Sequence, residues 1–212
     1  LASRLDELGV KYVIPTYHPS FLLHKSGGGY GEVTVGGQYV AAAVVAHLQK
    51  AKALTQREAV WECETIITTK PWDVIAYTEA NDGFYAVDIE TDAKDPFDVT
   101  NIKCVGIGHV SRKQVLVVDT RYAKRDLWQS LRWFLEDSNK KKVFQNRAYD
   151  EQTIHLLHGI RVTGTMGDTM LMHHALFPDE PHALNHIAFR YTDVPPWKPP
   201  KSKGGIESFE TF

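Results

Sequence analysis

The stretch Tyr85-Ala86-Val87-Asp88-Ile89-Glu90-Thr91 constrains this chain more than any other. It reads as an apolar strand that ends in two carboxylates. Side chains alternate across a strand, so residues two apart share a face. Asp88 and Glu90 therefore point the same way, at the strand's C-terminal end. Two oxygen ligands on one face suit a hard divalent cation, Mg²⁺ or Mn²⁺.

The surrounding pattern assigns that strand a place. Phe84–Ile89, Ile102–Val110 and Gln114–Asp119 read as strands, the last two joined by the short turn Ser111-Arg112-Lys113 and so antiparallel. Arg125–Asp137 carries Leu127, Leu131, Phe134 and Leu135 at helical spacing. Lys142–Gln145 is a short strand after the basic run Lys140-Lys141-Lys142, itself read as a solvated turn. A helix over Tyr149–His158 follows, then a short strand at Arg161–Thr163. Helices at Asp168–Phe177, capped by Asp168, and at Ala183–Tyr191 complete the pattern. Upstream, Lys11–Thr16 reads as a strand, Gln38–Leu54 as a helix, Glu64–Thr68 as a strand and Pro71–Glu79 as a helix with Pro in its first turn. Three strands, helix, strand, helix predicts an α/β protein with a ribonuclease-H-like mixed sheet flanked by helices, plus a small α/β N-terminal segment. The expected division is 1–54, a linker region at 55–83, and the sheet domain at 84–212.

Charge and composition narrow the classes. Lysine and arginine total 24 against 26 acidic residues, a net charge of −2, so no global basic field marks a nucleic-acid binder. A nuclease fits this balance, because its metal site is acidic and its basic groups are local. Cys63 and Cys104 form no metal-ligand spacing and no disulfide framework, which favours a reducing compartment. No apolar run reaches the roughly 20 residues needed to cross a membrane. The chain opens on Leu1 and is read as an internal piece of a longer enzyme. Its expected location is the cytoplasm of a bacterium or a phage-infected host.

The second signal is Val143-Phe144-Gln145-Asn146-Arg147-Ala148-Tyr149-Asp150, where a strand ends at Asn146 and Asp150 opens a helix. Such an Asp either caps the helix or reaches the end of the sheet that carries Asp88 and Glu90. Asp88-x-Glu90-Thr91 with Asn146-x-x-Tyr149-Asp150 resembles the first two motifs of the 3′–5′ exonuclease domain of phage-type family A DNA polymerases, within the DEDD superfamily. Gly167-Asp168-Thr169-Met170-Leu171 and Pro181-His182-Ala183-Leu184 are similar to later helices of phage-type members. The resemblance implies catalytic and metal-ligating roles for Asp88, Glu90 and Asp150, which would hold two Mg²⁺ or Mn²⁺ ions. It also implies contacts from Thr91, Asn146 and Tyr149 to the terminal nucleotide of a single-stranded DNA primer end. The partner is then a polymerase domain elsewhere in a longer chain. The family's last motif, which supplies a fourth carboxylate, is expected to be missing, because the chain ends at Phe212 about where its helix should begin.

Val13-Ile14-Pro15-Thr16-Tyr17-His18-Pro19-Ser20 resembles the last motif of family 4-like uracil-DNA glycosylases. There the histidine lies beside the extruded uracil, a substrate-binding role that falls on His18. Residues 1–54 would be the C-terminal piece of such a domain. Two alternatives stay open at this stage: a catalytically inactive module that binds DNA and guides a primer, and an RNA-trimming nuclease of the same superfamily.

Overall fold

A computed structural model describes residue 16 and residues 35–56, 63–79 and 83–192. In chain order the elements are α1 (Val35–Gln56), β1 (Glu64–Thr68), α2 (Pro71–Tyr77), β2 (Tyr85–Thr91), β3 (Ile102–His109), β4 (Gln114–Asp119), α3 (Arg125–Glu136), β5 (Lys142–Phe144), α4 (Arg147–His158), β6 (Thr165–Asp168), α5 (Thr169–Leu176) and α6 (Leu184–Tyr191). The strands form one six-stranded sheet in the order β1-β4-β3-β2-β5-β6. β3 is antiparallel to both β2 and β4, while β1 lies parallel to β4, and β5 parallel to β2 and β6. The expected α/β mixed sheet flanked by helices is the observed fold.

Burial follows the period of two along β2. Tyr85, Val87 and Ile89 are buried, whereas Ala86, Asp88 and Glu90 are exposed. The buried face joins one core with Val74 and Tyr77 of α2, Leu131, Phe134 and Leu135 of α3, and Ile154 of α4. On α3 the buried residues recur at three- and four-residue spacing, the stripe that turns a helix toward a sheet. Tyr85 meets Phe134 edge-on, with ring centroids 5.0 Å apart.

The chain divides into two compact units, one of residues 62–184 and one that joins 1–61 to 185–212. The sheet lies wholly in the first. The segment expected to be a linker, 55–83, instead contributes β1 and α2 to that unit. β1 pairs with β4 from Glu64 to Thr68, and Val74 and Tyr77 enter the core. The other boundary shifts as well. In the second unit the edge of the His47 ring meets Phe189 at 5.1 Å, and Lys50 Nζ donates to the carbonyl oxygens of Phe189 and Thr192. Residues from Asn185 onward thus group with α1 rather than with the sheet.

Two local expectations also change. The strand expected at Arg161–Thr163 forms later, as β6. Thr163 N instead donates to the Leu135 carbonyl at the end of α3 (2.9 Å), and Gly164, at φ 70°, turns the chain into β6. A Cβ on Gly164 would come within 2.6 Å of the Lys140 carbonyl oxygen, so both the turn and the close approach need glycine. Nor is the basic run Lys140-Lys141-Lys142 uniformly solvated. Lys142 is fully buried, and its Nζ donates to the carbonyls of Asp137 (2.8 Å), Lys140 (2.7 Å) and Thr163 (3.0 Å). Burial pushes its ammonium down to about 8, and the Asp137 charge opposes that shift. The cage joins the turn after α3 to the approach of β6. Replacing Lys142 with Met leaves three carbonyls without this donor, and the expected loss in urea unfolding is on the order of 2–3 kcal/mol.

Candidate active site

The C-terminal half of β2 outruns its neighbour β5. Pairing between the two strands covers only Tyr85 with Lys142 and Ala86 with Val143. The N–H of Ile89 then finds its partner in a side chain: Asp150 Oδ1 accepts it at 3.1 Å. Ile89 lies between Asp88 and Glu90, so this bond brings the Asp150 carboxylate beside the acidic pair. Asp150 is only 3% exposed and sits in the first turn of α4. It does not cap that helix from the N-cap position, which belongs to Asn146.

Asn146 is the only non-glycine residue with positive φ among the described residues (φ 65°, ψ 48°). Asn tolerates this left-handed conformation better than most residues, and Asp168 holds it in place. Its carboxylate accepts from Asn146 N (3.1 Å) and Arg147 N (2.8 Å), and at the start of α5 from Met170 N (2.9 Å) and Leu171 N (3.4 Å). The expected cap on α5 is therefore present. Its grip on the turn before α4 was not legible from spacing, because it joins positions more than twenty residues apart.

Thr91 and Tyr149 meet directly. Their hydroxyl oxygens are 2.5 Å apart, and both bond the Ala93 carbonyl, at 2.7 and 2.6 Å. A register shift in the β2–β3 ladder falls between Glu90 and Thr91, so Thr91 leaves the regular pleat just where the carboxylates end. Of the sequence-predicted residues, the structure thus brings Asp88, Glu90, Thr91, Asn146, Tyr149 and Asp150 to one end of the sheet. His18 lies outside the described residues.

Electrostatics mark the same place. The Asp150 carboxyl is pushed up to about 8, first by burial and then by the negative charge of Asp88; the Ile89 N–H pulls the other way. Cys104, across the ladder from Glu90, has its thiol raised by burial and by the Glu90 and Asp88 charges. Facing carboxylates with one buried form a site that takes up a proton or a cation. Oxygen donors of this kind fit Mg²⁺ or Mn²⁺.

A mixed sheet with acidic side chains at the C-terminal end of β2 is a ribonuclease-H-like fold. The model of the 3′-5′ exonuclease family DNA_pol_A_exo1 matches residues 64–203. The chain belongs to this family and carries a 3′–5′ exonuclease domain. Among solved structures, the POL domain of Pol1 from M. smegmatis, in complex with DNA primer-template and dNTP, is similar with a TM-score of 0.52 and 18% identity. That match covers 59% of this chain and 22% of the other. The catalytic core of RRP6 from Trypanosoma brucei gives a TM-score of 0.50 and 18% identity over 61% and 34% of the two chains. Trypanosoma brucei RNase D in complex with RNA U12 gives 0.45 and 15% over 53% and 40%. At these identities the likeness concerns the fold alone, and the chain spans less than half the length of each of these proteins. A comparison with curated protein sequences finds no significant match.

The raised Asp150 carboxyl sets the pH dependence of the metal-free chain. Its folded pKa lies near 8, whereas an unfolded Asp titrates near about 3.9. Between those values the folded state binds a proton that the unfolded chain releases, so stability falls as pH rises from about 4 to about 8. In chelator, Asp150→Asn should remove this slope: its Tm exceeds that of the unsubstituted protein at pH 8 and equals it at pH 4. Asp168→Ala should lower stability by roughly 2–4 kcal/mol, because four N–H groups lose their acceptor. Chemical denaturation measures that loss directly.

Proposed function

We propose that this chain is the metal-dependent proofreading domain of a phage-type DNA polymerase, removing nucleotides from single-stranded 3′ ends. The observation that carries the reading is the Asp150–Ile89 bond. It holds a buried carboxylate beside Asp88 and Glu90, at the end of a strand in a chain of the 3′–5′ exonuclease family. Asp88, Glu90 and Asp150 would hold the divalent ions, two of them as in two-metal sites of this kind. Bound Mg²⁺ or Mn²⁺ supplies water activation and stabilisation of the leaving 3′ oxygen in sites of this kind.

The chain's own residues position the substrate. Tyr149 and Thr91, held together over Ala93, form one wall for the terminal nucleotide, and Asn146 contacts it from the left-handed turn before α4. Burial of Asp150 leaves its own carboxylate little shielded by water, so its need for positive charge is strong. DNA is favoured over RNA by two features. The matching family is the polymerase A type, and the N-terminal motif containing His18 resembles a uracil-DNA glycosylase. The Pol1 neighbour was solved with a DNA primer-template, which agrees with this choice.

The test is Mn²⁺-dependent digestion of 5′-labelled single-stranded oligomers, DNA and RNA in parallel. The expected result is a ladder of DNA products shortened from the 3′ end, with RNA cut more slowly. Asp88→Ala should reduce the rate by at least about 100-fold, some 2.7 kcal/mol of transition-state stabilisation. Intact DNA with undiminished binding would replace this reading with a primer-guiding module that does not cut.

A further inference from the structure

The turn that follows α5 folds the chain back on that helix. Phe177 N donates to the His173 carbonyl (2.8 Å), and Glu180 N donates to the Phe177 carbonyl (3.0 Å). The turn brings Glu180 and His182 onto the two histidines of α5. Imidazoles of His173, His174 and His182 meet the carboxylate of Glu180 there, and the reading above uses none of them.

The groups stand in a definite order. His173 Nε2 lies 3.3 Å from Glu180 Oε2, and both side chains are buried. The other ring nitrogen, Nδ1, lies 2.9 Å from Nδ1 of His182. His182 Nε2 in turn lies 2.9 Å from Nδ1 of His174. His182 is half-buried and His174 exposed, so the series runs from the interior to the surface.

That order assigns the protons. A carboxylate beside His173 Nε2 holds the proton of that ring on Nε2. His173 Nδ1 is then a lone pair aimed at His182, and His182 meets it with its own Nδ1–H. Moving this proton to His182 Nε2, where His174 Nδ1 accepts it, leaves two lone pairs facing each other. The proton of His174 moves to its exposed side, and the series gains or loses none. Neighbouring ligands on a tetrahedral ion with bonds of about 2.0 Å stand about 3.3 Å apart. The two Nδ1 atoms, now at 2.9 Å, reach that separation by opening only about 0.4 Å.

Imidazole nitrogen suits Zn²⁺ and its neighbours in the first transition row, whereas Mg²⁺ and Ca²⁺ take oxygen. Ligand histidines in such sites carry a partner on the other ring nitrogen, which fixes the tautomer and the ring orientation. Both rings have one here: Glu180 behind His173, and His174 behind His182.

We propose that His173 and His182 bind a zinc-class cation through their Nδ1 atoms, with Glu180 and His174 orienting the rings and water completing the coordination. The ion clasps the turn at 177–183 onto α5. One further bond carries the clasp toward the sheet: the His182 carbonyl accepts from Gln145 Nε2 (2.8 Å), and Gln145 directly precedes the turn at Asn146. The site differs in donor chemistry from the carboxylates on β2 and stands without the nuclease reading.

The test is calorimetric titration with Zn²⁺ of the chain carrying Asp88→Ala, which disables the oxygen site. A single ion per chain should bind, and uptake should fall away below about pH 6 as the imidazoles take protons. Adding His182→Asn should abolish binding, and adding His174→Ala should weaken it by about 10- to 100-fold. His174 is exposed, so an unchanged melting temperature of its variant in chelator shows that the loss is not unfolding. Nitrogen NMR of the intact chain should place the His182 proton on Nδ1 in chelator and on Nε2 with Zn²⁺. Absence of uptake, or uptake that survives both substitutions unchanged, would overturn the site whether or not the chain digests DNA.

Discussion

The Asp168 carboxylate is the interaction on which the site depends. It is nearly buried, and it accepts four main-chain N–H groups from two helix starts. A buried carboxylate without donors would be untenable; four donors make it a strong fixed point. Through it, the left-handed turn at Asn146 is held in one shape, and that turn sets where α4 begins. Tyr149 and Asp150 lie in the first turn of α4, so their placement beside β2 inherits the same anchor. Asp150 then closes the arrangement from the other side by taking the Ile89 N–H.

This geometry works against stability at one end of the sheet. Burial next to Asp88 disfavours the charged form of Asp150, and the chain tolerates that conflict because the core beneath β2 is continuous and well buried. At the opposite end, β5 opens on a buried ammonium. Lys142 is satisfied by three carbonyls and has no acidic partner in its cage. The two buried ionisable groups serve different ends. Lys142 joins turns and acts within the fold. Asp150 remains short of positive charge, which is the condition a cation site requires.

Much of this was legible in the residues. Asp88 and Glu90 share a face because strand periodicity is two, and no tertiary contact is needed to say so. Helix α3 follows from apolar spacing, and α5 from the Asp168 cap. The linker assigned to 55–83 was misread because β1 and α2 are short and earn their place only by pairing with β4 and packing on the core. β6 was displaced for a similar reason. Thr165-Met166-Gly167-Asp168 has no apolar alternation, and its strand character comes from the β5 ladder alone. The stack of Trp128 on His158 was invisible, since the two rings come from α3 and α4.

The sequence by itself determined the acidic pair on β2, the mixed α/β class and the family to which the chain belongs. Those depend on local periodicity and on residues at fixed short spacings. Only the tertiary structure decided that Asp150 reaches the N–H between the paired acids and that Asp168 governs the turn before it. Each joins residues far apart in the chain, and a long-range contact is set by how strands register and helices pack, which no short spacing encodes.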